Sequence, residues 1–593
     1  MHTTASLFLD TLARAGVTHA FVNWGNDHPA ILEELERQRV ENGKTAIEIV
    51  TCPNEMVGLS AAQAFTQVTG KSSLVIVHVD VGTQALAGAV HNVDRGRVPV
   101  IIFSGLAPFS AQGEHKGSKN EWPMWPQDVP DQAAIVRQYM RYTTQILSGK
   151  SVTKTVLRAL QFANSSPKGP VYISARRETL EEELDDATAN AKIDLGKWPS
   201  ITPAGLSPAA ARTIVEALST AEFPLFIVAH SGRNTRTVAP LVELSTKFSA
   251  AVIMSCGSSV CVPCSHPFYL GNNFGGKIPL LEEADTILIL ETDVPWIDAC
   301  QNVPREGARV FVVDSDPLKQ TFGWSHVDAE LLCRADSEVA LGQLLEAANQ
   351  PKVKLDHPGI VERAKKLKER HDEFIASLEL VETSLQNPEV AEPAYVLSIL
   401  RKAVAENTPS HGERTLWVNE AISSFHEVFN HIRPNVPGNM IASGGTSLGF
   451  SLGGAVGAYL GSQSTNMGHD LLVAVVGDGT FMFGVPSSAY WMARKYNTPY
   501  LTIVLNNGGW ASPKKSMMGI YPAGIGSKAS GDKLSVGFGP DMPDYAQIAA
   551  AAGGAWACKV SDVKKFKEVI EEAIHVVLTE KRCAVVDCIV QSI

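Results

Sequence analysis

No apolar run in this sequence approaches the roughly 18 residues that a bilayer-spanning helix needs, and the first ten residues carry neither the cationic start nor the apolar core of a secretory signal. These absences imply a cytoplasmic protein with no membrane partner. Positive charge is also short: the formal net charge is −11 and no basic run stands out, which excludes the electrostatic footprint of a nucleic-acid binder. The nine cysteines are odd in number and spread over a long chain, a distribution that suits reduced thiols better than a disulfide framework. No fixed-period repeat or low-complexity tract is present. Small-molecule chemistry is what these exclusions leave.

What the chain has is length and regular alternation. Its 593 residues, at roughly 100–200 per domain, imply three or four domains, and 45% apolar with 19% charged residues is the balance of a compact enzyme-like body. Apolar β-branched runs at 73–79, 98–103, 170–173, 225–229, 251–254, 286–290, 310–313, 471–476 and 500–505 alternate with helical stretches. That alternation predicts an α/β protein built of doubly wound parallel sheets. An acidic stretch at 181–186 running into 196–203, and a charged one at 350–373, divide it into three blocks. The expected boundaries are 1–190, a middle Rossmann-like block over 195–350, a linker over 351–385, and 386–593. The first and last blocks are free to share a fold without sequence similarity.

The strongest local signal follows the apolar run 471–476. There Gly477-Asp478-Gly479-Thr480 is followed, after the next apolar run, by Asn506-Asn507-Gly508-Gly509, with 26 residues between Gly479 and Asn506. Both clusters fall at strand C-terminal ends, the ligand-binding edge of a parallel sheet, and one right-handed crossover brings them side by side. Mg²⁺ favours octahedral oxygen coordination and combines few protein ligands with phosphate oxygens, a task that suits Asp478, the Asn507 amide and a nearby backbone carbonyl. The glycines allow backbone N–H groups to approach a diphosphate.

This pattern resembles the cofactor motif of the thiamine diphosphate-dependent superfamily that includes acetolactate synthase, pyruvate oxidase and benzoylformate decarboxylase, and the resemblance covers essentially the whole chain. It implies a pyrimidine-binding first domain, a Rossmann-like middle domain and a diphosphate-binding last domain. It also implies Mg²⁺ ligation by Asp478, Asn507 and the Gly509 carbonyl, with Gly477, Gly479 and Thr480 at the diphosphate. In Ala442-Ser443-Gly444-Gly445-Thr446-Ser447-Leu448-Gly449, Leu448 resembles the wedge that bends the cofactor, with Gly445 beside it. The bend brings the aminopyrimidine to the thiazolium C2 proton. Ser423, in Val418-Asn419-Glu420-Ala421-Ile422-Ser423-Ser424, resembles the segment that reaches the diphosphate; a plain helix cap is the other reading.

In the first block, Cys52-Pro53-Asn54-Glu55 opens a helix rich in small residues, which permit close approach of another backbone or a ligand. The family has a glutamate here that bonds the pyrimidine N1′, and the resemblance gives that role to Glu55. Because family members place this glutamate and the diphosphate on different subunits, a homodimer or homotetramer with active sites at the subunit interface is implied.

The substrate-side residues match less well. Gly25 fits a family glycine, but Trp24 replaces the usual proline and Asn26-Asp27-His28 has no common counterpart. Asp27 and His28 are acid–base candidates; a helix-capping Asp27 and a surface His28 are the other readings. His115 stands where pyruvate decarboxylases carry paired histidines, yet it is single. His78 and Asp80 alternate along an apolar run and are expected as hydrogen-bonded core groups on one strand face. The stretch after the asparagine pair, to Pro543, is long enough for a cover over the site, with Lys514 or Lys515 near a substrate carboxylate or simply solvated.

Cys256-x₄-Cys261-x₂-Cys264 superficially matches ferredoxin and redox-dithiol spacings, but inert thiols are expected. The middle block lacks G-x-G-x-x-G; Asp314-Ser315-Asp316 resembles the nucleotide position of FAD-binding relatives, so FAD is compatible with this place but is not predicted. The implied reaction is attack of the cofactor C2 carbanion on a 2-oxo acid or 2-hydroxy carbonyl donor, C–C cleavage, then protonation or addition to an acceptor carbonyl. Acetolactate synthase-like carboligation is the first choice. A 2-oxo acid decarboxylase or 2-hydroxyacyl lyase is the alternative, and an FAD-linked oxidase of the pyruvate oxidase type a third reading.

Overall fold

A computed structural model describes residues 2–592 apart from Lys192, Lys352, Lys354, Asp356, His357 and Asn466. Three six-stranded sheets, all with parallel pairing, make up its frame. The first contains β1 (His19–Val22), β2 (Glu48–Thr51), β3 (Ser73–Val77), β4 (Val100–Leu106), β5 (Tyr142–Ile146) and β6 (Val171–Arg176), in the order β2-β1-β3-β4-β6-β5. The middle sheet contains β7 (Pro224–Val228), β8 (Ala251–Ser255), β9 (Tyr269–Asn273), β10 (Thr286–Leu290), β11 (Arg309–Asp314) and β12 (Leu331–Arg334). Its order, β9-β8-β7-β10-β11-β12, is that of a dinucleotide-binding fold. The last contains β13 (Thr415–Glu420), β14 (Met440–Ile441), β15 (Leu471–Gly477), β16 (Leu501–Asn506), β17 (Trp556–Val560) and β18 (Ala584–Ile589). Its order β14-β13-β15-β16-β18-β17 repeats that of the first sheet.

The strands are near-continuous Val, Ile and Leu because helices cover both faces of each sheet; every residue of β3, β7, β10 and β16 is buried. In the first and last sheets the chain leaves its first strand in one direction and its third in the other. Ligands bind at the carboxyl ends of strands at such a switch point. The loops after β1 and β3, and those after β13 and β15, are therefore the places to look.

The helices that frame these points are α1 (Pro29–Asn42), α2 (Glu55–Thr69), α3 (Val79–Ala85), α4 (Ala89–Arg95), α5 (Pro358–Thr383), α6 (Phe450–Ser464), α7 (Asp478–Phe483) and α8 (Ala511–Ile520). α2 and α6 run parallel in contact. A Cβ on Gly453, Gly457 or Gly461 would lie 2.7, 1.9 or 3.2 Å from the carbonyl oxygens of Val57, Ala61 and Phe65. The small residues of both helices thus serve a backbone-to-backbone approach that joins the first block to the last.

One expectation needs correction. His78 and Asp80 do not share a strand face, because β3 ends at Val77 and His78 precedes α3. The chain turns there because Val79 has φ +29° and its N–H donates to Asp27 Oδ2 at 3.2 Å. The stretch read as a linker, 351–385, carries the 26-residue helix α5, although 352, 354, 356 and 357 lie outside the described residues. Most of its charged side chains face water, but Glu382 is buried, and buried Arg363 donates to the carbonyls of Ser249, Ala221 and Phe248 at 2.7–2.9 Å. No helix among the described residues is long and apolar enough to cross a membrane.

Candidate active site

At the switch point of the first sheet, three ionisable side chains converge. Asp27, in the loop after β1, is 1% exposed, and His28 beside it is fully buried. Asp27 Oδ1 lies 2.5 Å from His78 Nδ1 and Asp27 Oδ2 lies 3.2 Å from His28 Nε2. The Gly25 N–H donates to His28 Nδ1 at 3.1 Å, which leaves the proton of neutral His28 on Nε2, near the carboxylate but without a hydrogen-bond partner. Asp27 is thus not a helix cap and His28 is not a surface group; α1 begins with no side-chain cap bond at all. Glycine is required at position 25, where a Cβ would overlap His78 Nδ1 at 1.9 Å.

The electrostatics separate the two imidazoles. Burial pushes the Asp27 carboxyl up, but His28, His78 and the Val79 N–H outweigh it and hold the pKa below the usual carboxylate value. Burial lowers His28 more than Asp27 raises it, so His28 stays neutral. Burial also works against charge on His78, yet its short bond to Asp27 and the nearby Asp80 and Glu55 raise its pKa overall. His78 keeps 17% of its side chain exposed and so is the member of the group that can exchange a proton with a ligand.

Glu55 opens α2 next to this group. The side chain of Asn54 caps the helix by accepting the Val57 N–H at 3.1 Å, which frees the Glu55 carboxyl from that duty. Burial raises its pKa. Gly82 of α3 leaves the space: a Cβ there would lie 3.4 Å from Glu55 Oε1.

At the switch point of the last sheet, Asp478 is 2% exposed and Asn507 follows β16. Asp478 Oδ1 accepts the Gly479 N–H at 2.8 Å, while Asp478 Oδ2 and Asn507 Oδ1 are buried with no hydrogen-bond partner. Burial pushes the Asp478 carboxyl up to about 6. Two orphaned buried oxygens at one strand edge are what a hard cation removes. Gly508 and Gly509 have φ +85° and +151°, and a Cβ on Gly509 would strike the Val536 carbonyl at 2.2 Å, so only glycine permits this turn. A Cβ on Gly477 would meet nothing within 4 Å, which leaves an open cradle beside the carboxylate. Gly479 packs under Trp510, and the Thr480 hydroxyl donates to the Glu420 carbonyl at 3.2 Å. The donor set, one carboxylate and one amide oxygen with a free cradle, fits Mg²⁺ held jointly with a diphosphate.

The loop bearing Leu448 lies between the two switch points. Gly445 is pressed against Asn92 and His91 of α4 rather than open to a ligand, with a Cβ 2.5 Å from Asn92 Oδ1. Ser423 lies in a single 3₁₀ turn and is not a helix cap; its carbonyl accepts from Lys515 Nζ at 3.1 Å. His115 is not brought to Asp27 or His78 within the chain: it lies exposed in an irregular loop, its ring 5.4 Å from Phe109. Exposed Trp122 and Trp125 share that loop, and Glu121 accepts from Asn26 at 2.9 Å. The three clustered cysteines form no disulfide, and burial pushes Cys256 up to about 11 and Cys264 up to about 12, so they stay protonated thiols. Asp314 is fully buried and is engaged by Arg97 at 2.8 Å and Lys319 at 2.5 Å.

Sequence reasoning missed three residues that hold the site together. His78 reads from the sequence as a core group of the strand, and its position just past the apolar run is the signal that places it at the strand's C-terminal end. Asn92 and Glu420 carry no such signal, since each acts on backbone distant in sequence.

Comparison with known proteins agrees with this geometry. The N-terminal TPP binding domain of the thiamine pyrophosphate enzymes matches residues 2–135 and their C-terminal TPP binding domain matches 423–588. A putative thiamine pyrophosphate-containing protein of Bacillus subtilis is 22% identical, over 97% of this chain and 90% of its own. Benzoylformate decarboxylase of Pseudomonas aeruginosa is 22% identical over 86% of this chain and 87% of its own, and acetolactate synthase of Bacillus subtilis 22% over 85% and 81%. The solved 4-hydroxybenzoylformate decarboxylase of Rhodococcus jostii superposes with a TM-score of 0.76 at 19% identity, over 100% of this chain and 99% of that one. The chain belongs to the thiamine pyrophosphate enzyme family and is a thiamine diphosphate-dependent enzyme, of the group that includes decarboxylases, lyases and synthases.

Proposed function

We propose that this protein is a thiamine diphosphate- and Mg²⁺-dependent 2-oxo acid decarboxylase in which Asp27 and His78 carry the proton that completes each turnover. The observation that carries this reading is the 2.5 Å contact between Asp27 Oδ1 and a partly exposed His78 at the switch point next to Glu55. When bound, thiamine diphosphate would supply a nucleophilic carbon at thiazolium C2 and, in the cationic thiazolium ring, a sink for the electron pair of the breaking C–C bond. Asp478, Asn507 and the Gly509 carbonyl would hold Mg²⁺, and the Gly477 cradle would admit the diphosphate. Glu55 would hold a proton at the pyrimidine N1′, a task that suits a carboxyl with a raised pKa. His78, kept protonated by Asp27, would deliver its proton to the substrate-derived carbon, and neutral His28 would fix the Asp27 carboxylate. A proton donor at this place favours release of an aldehyde over addition to a second carbonyl, which moves carboligation from first choice to second reading. Ligation retains support from the similarity to acetolactate synthases.

The remaining parts of this reading are a homodimer or homotetramer in the cytoplasm, which light scattering of the purified protein tests for size. The test of function is product analysis with thiamine diphosphate and Mg²⁺, offering pyruvate and longer or aromatic 2-oxo acids, with and without an aldehyde acceptor. Equal amounts of CO₂ and aldehyde, abolished in Glu55→Gln, are expected. Acetolactate or another ligation product as the main outcome supports the second reading. Cofactor binding without CO₂ release from any 2-oxo acid overturns both.

A further inference from the structure

Leu448 stands in a loop whose two flanking residues are each held by a buried side chain from elsewhere. On one side is Ser447. Its carbonyl accepts from Asn92 Nδ2 at 2.8 Å and its N–H donates to Asn92 Oδ1 at 3.1 Å. One carboxamide therefore pairs with both backbone groups of the residue before Leu448, as a neighbouring strand would. Asn92 is 1% exposed and belongs to α4 in the first block, so this hold crosses between blocks.

On the other side is Gly449, with φ +105°, which starts α6. Its N–H donates to Glu420 Oε1 at 2.8 Å, the Phe450 N–H to the same oxygen at 2.9 Å, and the Ser451 N–H to Oε2 at 2.6 Å. Three of the four N–H groups that a helix start leaves without partners thus converge on one carboxylate, which is 1% exposed and also complements the helix dipole. Glu420 ends β13 at the switch point, and its own carbonyl receives the Thr480 hydroxyl of the Gly477–Thr480 turn. The loop is held further along by Gln63 on the Ser443 carbonyl at 2.7 Å and Gln67 on the Ala442 carbonyl at 2.9 Å.

A loop rich in glycine and serine has no stiffness of its own. Side-chain bonds from both directions on the residues either side of one apolar side chain supply it. We infer that Asn92 and Glu420 are positioning residues that brace Leu448 from the first and last blocks, fixing the side chain that sets the cofactor's bend; this rests on the reading of Leu448 as the cofactor's wedge. The brace ties the wedge to the same Glu420 that touches the diphosphate turn, so the bend and the diphosphate are set by one rigid unit. Asn92 extends that unit to α4, beside the α2 helix that carries Glu55.

The test uses the full-length protein with thiamine diphosphate and Mg²⁺ and compares Asn92→Leu, Glu420→Gln and Leu448→Ala. The readouts are the cofactor dissociation constant, the exchange rate of the C2 proton of bound cofactor measured by acid quench and NMR, and kcat and KM separately. The brace predicts that Asn92→Leu and Glu420→Gln bind cofactor nearly as wild type but slow C2 exchange and kcat by about 100-fold, with KM little changed. Asn92→Asp, which keeps the acceptor for the Ser447 N–H, recovers part of the loss and serves if the leucine variant does not fold. Gly461→Ala, which crowds the far end of α6, lowers the melting temperature without slowing exchange; a merely structural role for Asn92 and Glu420 gives that same pattern and overturns the inference. If Leu448→Ala itself exchanges at the wild-type rate, the wedge reading fails instead.

Discussion

At Asp27 two imidazoles meet one carboxylate, and their different burial decides which is charged. His28 is fully buried and stays neutral; His78 is partly exposed, and the carboxylate raises its pKa above the ordinary value of 6.5. A donor of raised pKa works up to that pKa and fails above it, so the alkaline limb of kcat should lie above 6.5. Asp27→Asn removes the support and leaves burial to dominate, so the limb should move to lower pH; a pH–rate profile of the variant checks this, and an unmoved limb assigns the proton elsewhere. Asp478→Asn should weaken Mg²⁺-dependent cofactor binding by about tenfold or more, read from the fluorescence of Trp510, which packs on Gly479. Much of this site was legible in the sequence, because Asp478, Asn507 and Glu55 sit in short motifs at strand ends and a helix start. His78 was not. Its partner lies 51 positions away, and only the side-by-side placement of β1 and β3 brings them together.

At the scale of elements, the parallel pair α2 and α6 carries the junction between the first and last blocks. Backbone contact this close leaves no room for a methyl group at Gly457, where a Cβ would sit 1.9 Å from the Ala61 carbonyl oxygen. Gly457→Ala should destabilise the protein by about 1–3 kcal/mol, visible as a lowered melting temperature, and a neutral result would mean that the helices separate at little cost. The nine strands expected from apolar runs are found to within a few residues, since a short, unbroken apolar β-branched run suits a strand buried on both faces far better than a helix. The small residues of α2 were recognised as making room for another backbone, but which backbone they admit is a tertiary fact. The helix over 358–383 was hidden because its apolar contacts are sparse and its main anchor is an arginine bonding to carbonyl groups.

Across the whole molecule, α5 ties the middle block to the last through Glu382. This buried carboxylate bonds Arg401 at 2.9 Å, Arg433 at 2.8 Å and His431 at 3.0 Å, which outweigh its burial and hold its pKa at about 2. A depressed carboxylate contributes stability above its unfolded value of 4.5 that is lost as the pH falls toward 2, on the order of 3 kcal/mol. Denaturant melts across that window should lose stability steeply in the wild type and less steeply in Glu382→Gln. A parallel decline in both would place the acid sensitivity elsewhere.

Delivery by His78 of the proton that ends each turnover is the step on which the decarboxylase reading depends. It is tested most directly by the partition of one 2-oxo acid between aldehyde and ligated product, in wild type and His78→Ala, with an aldehyde acceptor present. The expected result is mainly aldehyde from the wild type and, from the variant, a loss of aldehyde release with the remaining flux shifted toward ligation. A wild type that chiefly ligates, with a partition that His78→Ala leaves unchanged, would contradict it.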